Sequence, residues 1–417
     1  MTAFQLHTRP DGRAVPVLKL HWRRMLRIGT VASGAVLMLA CTHRSVVPLT
    51  PRAPVPVAVQ QAVLDSVRRV LDAAVTNGAF PGAYAVIGTR EGIIAEYGAG
   101  RLDSADASRP SAQTVWDMAS LTKVVGTTSA MLQLVASGAV QLDAPVTKYL
   151  PEWNVPGAER VTVRHVMTHS AGLPAWRALY KETDTPVEAL RQVLATPLDT
   201  VPGVRFVYSD LGFILMGALV ERVTGMTLAQ YDAQRVFGPA GMTETRYVPP
   251  DSWRARIAPT EQDPWRQRRL RGEVHDENAA RLGGVSGHAG LFSTARDMAR
   301  FARLYLNHGT LDGVRVFDSA TVAAFTRVQD TIVSRRALGW ETPTGRNSAG
   351  GRLSAAAFGH TGFTGTSVWM DPERNLFVVL LTNRVNPTRQ NLKIGGVRTA
   401  LADAVVGALP RSTAPRR

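Results

Sequence analysis

The sequence predicts an α+β fold: one antiparallel sheet built from both ends of the chain, with a mostly helical region inserted between its strands. Two observations carry this expectation. β-Like runs lie early, at Ala83 to Gly88 and Gly92 to Tyr97, and late, at Thr366 to Met370 and Leu376 to Thr382. Between them, from about Thr122 to about Tyr305, apolar residues recur largely at helical spacing. Composition supports a packed body, with 45% hydrophobic and 19% charged residues in a chain of 417.

The elements follow in order. Val63, Val67, Val70, Leu71 and Ala74 mark one face of a helix from Val57 to Val75, which Asn77-Gly78 stops. Arg90-Glu91-Gly92 joins the first two strands as a hairpin. Loops interrupt the helical region around Pro151–Pro156, Gly172-Leu173-Pro174 and Asp251–Gly290. The glycines from Gly283 to Gly290 read as a turn entering a helix capped at Ser293 or Thr294, with Asp297 in its first turn. Asp371-Pro372-Glu373-Arg374-Asn375 is a turn between the last two strands, and a helix from about Val397 to Leu409 closes the body. The expected layout is residues 57–410 as one domain, followed by a basic tail at 411–417.

The first 56 residues read as an address. Arg23, Arg24 and Arg27 precede the uncharged stretch Ile28 to Ala40, which is shorter than the ~20 residues a membrane span needs. Met38-Leu39-Ala40-Cys41 resembles the lipobox of bacterial lipoproteins, which implies that 1–40 is a signal peptide and that Cys41 is lipidated. Residues 41–56, with Pro48, Pro51, Pro54 and Pro56, read as an extended tether. The expected location is therefore the bacterial cell envelope, through a lipid anchor. Cys41 is the only cysteine, so an intramolecular disulfide framework and a Cys-rich zinc site are excluded.

A net charge of +15 suggests anionic partners, but it comes mainly from arginine spread along the chain. The densest stretch, Arg254 to Arg271 with Trp253 and Trp265 interleaved, has no recognition motif beside it and reads as a solvated surface. No nucleic-acid partner is expected.

Chemistry concentrates in three places. In Met118-Ala119-Ser120-Leu121-Thr122-Lys123, Ser120 and Lys123 stand three apart at the start of an apolar helix and share a face. A serine hydroxyl needs a neighbour to take its proton, and a lysine can serve only if its ammonium is destabilised. Further on, Tyr208-Ser209-Asp210 opens another helix. Then Gly359-His360-Thr361-Gly362-Phe363 leads into a strand whose glycines let substrate backbone approach closely.

Ser-x-x-Lys, Tyr-x-Asx and a basic-Thr-Gly strand, in that order, resemble the penicillin-recognising serine hydrolases. The tyrosine resembles the class C β-lactamase branch of D,D-peptidases, β-lactamases and esterases, over roughly residues 60–409. His165 to Pro174, Gly283 to Thr294, Trp369 to Pro372 and Gly272 to Asn278 extend the likeness, the last three nearest to class C low-molecular-mass penicillin-binding proteins of type 4B. The resemblance implies a β-lactamase/transpeptidase-like fold with helices from both termini flanking the sheet. It implies a D-Ala-D-Ala carboxypeptidase-like hydrolase in which Ser120 is acylated, Lys123 accepts its proton and Tyr208 relays protons. The amides of Ser120 and Phe363 would form an oxyanion hole, with Asp210, His360, Thr361 and Gly362 contacting substrate. Peptidoglycan peptide, a β-lactam or a small ester are the implied substrates, with no cofactor or metal.

Two departures stand out. Asp210 replaces the frequent Asn and is expected to pair with Lys123, raising its proton affinity unless burial offsets it. His360 replaces a frequent Lys, and a neutral imidazole pulls less on a carboxylate. An esterase or weak β-lactamase of the same fold, or a catalytically silent wall-binding homologue, remain alternatives. His165 and His169 lack the Glu of H-E-x-x-H and read as structural, and His275-Asp276-Glu277 as a supporting polar group or cleft-edge loop.

Overall fold

The computed structural model describes residues 6–8, 14–16, 54–103, 107–344 and 347–410. It divides into two units, 1–48 and 49–417, each treated by itself. In the first, Leu6–Thr8 pairs antiparallel with Ala14–Pro16. The predicted apolar signal segment, Cys41, most of the tether and the basic tail lie outside the described residues.

The second unit is an α+β body of the predicted kind. Its sheet runs Phe358–Thr361, Ser367–Asp371, Leu376–Thr382, Gly82–Gly88, Ile93–Gly100, all neighbours antiparallel. The two ends of the chain thus meet where Leu376–Thr382 pairs with Gly82–Gly88. Both of these strands are wholly buried, and their alternation divides two cores. Ala83, Ala85, Ile87, Leu376, Val378 and Leu380 face the terminal helices Val57–Thr76 and Ile394–Ala408, meeting Val63, Val67, Leu71, Leu401 and Val405. Val86, Phe377, Val379 and Leu381 face the opposite core, which contains the helix Ala295–Leu306 and the inserted helices.

The first helix ends where expected, with Gly78 at φ +64°. The last begins earlier than expected, at Ile394, running through Gly395-Gly396, residues with little helix propensity of their own. Thr294 does cap Ala295–Leu306, accepting from the Asp297 amide. However, Leu291–Thr294, read from sequence as part of a turn, is a strand between Val115–Asp117 and Arg246–Tyr247. This small sheet carries the chain into the Ser120 turn. The loop after Asp251 also holds a short hairpin, Gln262–Asp263 with Arg268–Arg269.

The inserted region positions the second motif. The Asp210–Thr224 helix is buried along most of its length, capped by Ser209, whose hydroxyl accepts from Gly212, and closed by Gly225 at φ +68°. Tyr208 lies just before it rather than within it.

Candidate active site

Ser120 lies in a tight 3-10 turn, Ala119–Leu121, followed by a π-helical segment Lys123–Thr128 and the α-helix Ser129–Ala136. Ala119 has φ +46°, a left-handed conformation disfavoured for alanine. Asp117 holds it there, one carboxylate oxygen accepting from the Ala119 amide at 2.8 Å and the other from His275 N at 2.6 Å. Strain fixed by surrounding bonds is characteristic of functional turns. Met118 N to Leu291 O, 2.9 Å, and Leu291 N to Thr122 Oγ1, 3.1 Å, tie the turn to the small sheet.

Lys123 is wholly buried, and its ammonium has three oxygen neighbours: Ser120 Oγ at 3.1 Å, His288 O at 3.0 Å and Asp210 Oδ1 at 2.6 Å. Burial alone pushes its pKa down, but Asp210, with help from Tyr208, outweighs burial and the net direction is upward. The Asp210 pair forms, and burial does not offset it. Lys123 therefore rests as an ammonium. Its Nζ also lies 5.1 Å from the centroid of the Tyr208 ring and 5.9 Å from that of Phe213.

Tyr208 is walled by two imidazoles, His169 at 4.5 Å and His360 at 5.9 Å between ring centroids. His169 Nδ1 accepts from the Ser209 amide at 3.1 Å, and burial pushes its pKa well below the usual imidazole range. His165 is occupied elsewhere, completing a capping box with Thr162. His360 Nδ1 lies 2.8 Å from Thr361 O, a carbonyl, so this nitrogen carries the hydrogen. Burial first, then the charges of Arg336 and Lys123, keep His360 well below its ordinary pKa and hence neutral. The third motif therefore contributes no cation.

The strand end carrying that motif presses on the serine turn. A Cβ at Gly362 would fall 2.1 Å from Thr366 Oγ1 and 2.5 Å from Met118 O, so only glycine fits. Thr364 Oγ1 bonds Asp117 O at 2.7 Å, and Thr366 Oγ1 bonds Met118 O at 3.1 Å. Arg398 donates to Gly362 O and Thr366 O at 2.6 and 2.8 Å, and Arg384 to Phe363 O at 2.7 Å. Phe363 is half exposed, its ring stacked between His275 at 5.7 Å and the Arg384 guanidinium at 4.4 Å. Ser120, Tyr208, His360, Thr361, Gly362 and Phe363 thus line one cleft of about 500 Å³. Lys123 and Asp210 sit behind it.

Three residues outside the triad support Lys123. His288 Nε2 meets Asp276 Oδ1 at 2.9 Å and its Nδ1 meets Ser286 Oγ at 2.8 Å. Asp210, Asp276 and His288 bring ligand atoms within 4.8 Å of one another, a spacing a divalent cation could use. The charge-balancing position beside Asp210 is already taken by the Lys123 ammonium, so the donor set fits the lysine better. The Gly272–Asn278 and Gly283–Thr294 stretches hinted at Asp276 and His288. Nothing in the sequence singled out Arg336, Arg384, Arg398 or Glu341, which also line the cleft.

A serine–lysine pair beside a tyrosine, at the junction of an antiparallel sheet and a helical insertion, defines the serine hydrolases of β-lactamase and penicillin-binding fold. The chain belongs to the beta-lactamase family, whose model matches residues 67–401. It is 35% identical over 346 residues to an N-acetylmuramyl-L-alanine amidase of Bacillus subtilis (strain 168), covering 73% of this chain and 77% of that protein. A Salmonella schwarzengrund (strain CVM19633) protein bearing a D-alanyl-D-alanine carboxypeptidase name is 32% identical over 323 residues, 69% of this chain and 73% of that one. Among solved structures, a penicillin-binding protein homologue from Caulobacter crescentus superposes with TM-score 0.68 at 21% identity, covering 83% of this chain and 98% of that one. EstCE1, a hydrolase with promiscuous acyltransferase activity, gives TM-score 0.70 at 20% identity over 84% and 99%. These two likenesses concern the fold.

Proposed function

We propose that this protein hydrolyses an amide bond in cell-wall peptide through a Ser120 acyl-enzyme, in the manner of a D,D-carboxypeptidase. The observation that carries the reading is Lys123 Nζ at 3.1 Å from Ser120 Oγ, buried and in contact with a carboxylate. Because Lys123 rests charged, it cannot take a proton until it gives one up. Lys123 passes a proton to Asp210 as it receives the one from Ser120, so the pair accepts it as a unit. Ser120 Oγ forms its bond to the carbonyl carbon, and the Ser120 and Phe363 amides hold the oxyanion. Tyr208 gives its proton to the leaving nitrogen as the C–N bond breaks. Lys123 then reprotonates Tyr208, and Asp210 returns its proton to Lys123. Water repeats the sequence in reverse roles to release the acid.

A second reading, cleavage of the muramyl-L-alanine amide, is favoured by the name of the 35% identical relative. Intact mass after mixing with a penicillin, beside Ser120→Ala, tests the acyl-enzyme. Products from a muramyl pentapeptide separate the readings: free D-alanine for the first, an L-alanyl peptide for the second. Absence of Ser120-dependent acylation by either a penicillin or a p-nitrophenyl ester, in folded protein, refutes both. We also propose export with Cys41 lipidated, for which Cys41→Ser should abolish incorporation of labelled fatty acid.

A further inference from the structure

Asp117 is buried, and both of its carboxylate oxygens are spent on backbone amides that lie far apart in the chain. One accepts from Ala119 N at 2.8 Å and the other from His275 N at 2.6 Å. Its own carbonyl accepts from Thr364 Oγ1 at 2.7 Å. Ala119 immediately precedes Ser120, and Thr364 immediately follows Phe363. One residue therefore grips, a single position away on each side, the two segments whose amides surround the oxyanion in the acyl-enzyme reading.

Each grip acts on the direction of an amide. The bond to Ala119 fixes the peptide entering that residue. With φ at +46°, the next peptide, which carries Ser120 N, points where an unstrained alanine would not send it. On the other side, the Gly362–Phe363 peptide packs against Met118 O, and its carbonyl is held by Arg398 at 2.6 Å. The Phe363 ring is backed by His275, whose Nε2 is anchored on Glu261 at 2.9 Å, and Arg389 holds Glu261 at 2.6 Å. A neutral side chain of this size could not do the same work. Asparagine offers one accepting oxygen and turns an NH2 group toward the second amide. Burying an ion costs free energy, and a turn that needed only a cap would be served by Asn or Ser. What the ion supplies is the second acceptor.

We propose that Asp117 is a positioning residue for the oxyanion hole, holding the Ser120 and Phe363 amides in register across the cleft. This rests on the proposed function and adds to it a group that touches no substrate. Oxyanion stabilisation depends on donors set in advance where charge develops, so a small displacement costs rate rather than substrate binding.

Stopped-flow acylation by a p-nitrophenyl ester, which gives the rate constant and the binding constant separately, tests this on Asp117→Asn and Thr364→Val. Asp117→Asn should slow acylation by about 10²–10³-fold, as for a lost oxyanion donor, with binding within about twofold of wild type. Affinity for phenylboronic acid, whose adduct with Ser120 puts an oxygen where the oxyanion forms, should fall in parallel. Thr364→Val removes only the bond to the Asp117 carbonyl and should slow acylation by about 5- to 10-fold, the scale of one hydrogen bond. Wild-type acylation by folded Asp117→Asn, or a loss confined to ester binding, would overturn the proposal. If urea titration shows Asp117→Asn unfolded, Thr364→Val decides, and an unchanged acylation rate there overturns it as well. Acylation of the wild-type protein, absent in Ser120→Ala, reports on the serine reading separately.

Discussion

The contact between Lys123 and Asp210 makes a prediction that separates two ways a serine–lysine site can work. At 2.6 Å the two charges attract by about 6 kcal/mol at an effective dielectric near 20. Much of that is offset by taking them out of water. Asp210→Asn removes the charge but leaves an amide oxygen for Lys123, so the stability loss should be about 2 kcal/mol, below the ~3–5 of a partner removed outright. The kinetic effect should be larger. Without the carboxylate, Lys123 has nowhere to pass its proton, and Ser120 can be activated only in molecules whose lysine is already neutral. Acylation at neutral pH should fall by about 10²-fold, within the range of a lost proton-transfer partner. It should also change form: a rate nearly flat across neutral pH should become one that climbs with pH. Burial, no longer opposed by Asp210, sets the lysine's lowered proton affinity in the variant. Stopped-flow acylation by a p-nitrophenyl ester from pH 5 to 10, beside urea unfolding of both proteins, measures the two effects. An Asp210→Asn protein with the wild-type profile and rate would show that the carboxylate takes no part in moving the proton.

Three further outcomes follow from the same geometry. Lys123→Arg keeps a cation beside Asp210 but cannot accept a proton, so acylation should fall by about 10²–10⁴ while thermal unfolding shows a folded protein. Gly362→Ala puts a methyl 2.5 Å from Met118 O, so the Phe363 amide must shift; turnover should fall about 10²–10³-fold, more than the ~1–3 kcal/mol stability loss accounts for. Glu261 sits 2.9 Å from His275 and 2.6 Å from Arg389, and although burial opposes it these partners bring its pKa from 4.5 down to about 2. A carboxylate held low in the native state stabilises above pH 4.5, and that stability drains as pH falls toward 2. Glu261→Gln should therefore cost on the order of 3 kcal/mol at pH 7 and flatten the acid-unfolding curve between those values.

What could be read from the sequence and what could not divide along the range of the interactions. Ser120 and Lys123 were legible because three residues of helical spacing already put them together, and the Asp210 contact because the charge change was visible within a short motif. The buried strand Leu376–Thr382 announces itself by an unbroken apolar run. By contrast, Val115–Asp117 is three residues long, too short for any alternation, and exists because Leu291–Thr294 pairs with it from far along the chain. Arg336 is the extreme case. Its neighbours in sequence, Ser334 and Arg335, suggest a solvated loop, and only the left-handed turn at Arg335 and the bridge from Glu341 to Gly359 bring it into the cleft. The same holds for the state of His360. The sequence already led to a neutral imidazole there, but what holds it neutral, burial together with Arg336 and Lys123, comes only from the fold. The charge pattern of this cleft was therefore beyond any motif, because each group's charge is set by residues that approach it only after folding. A motif can name the nucleophile, but not the charges that the fold gathers around it.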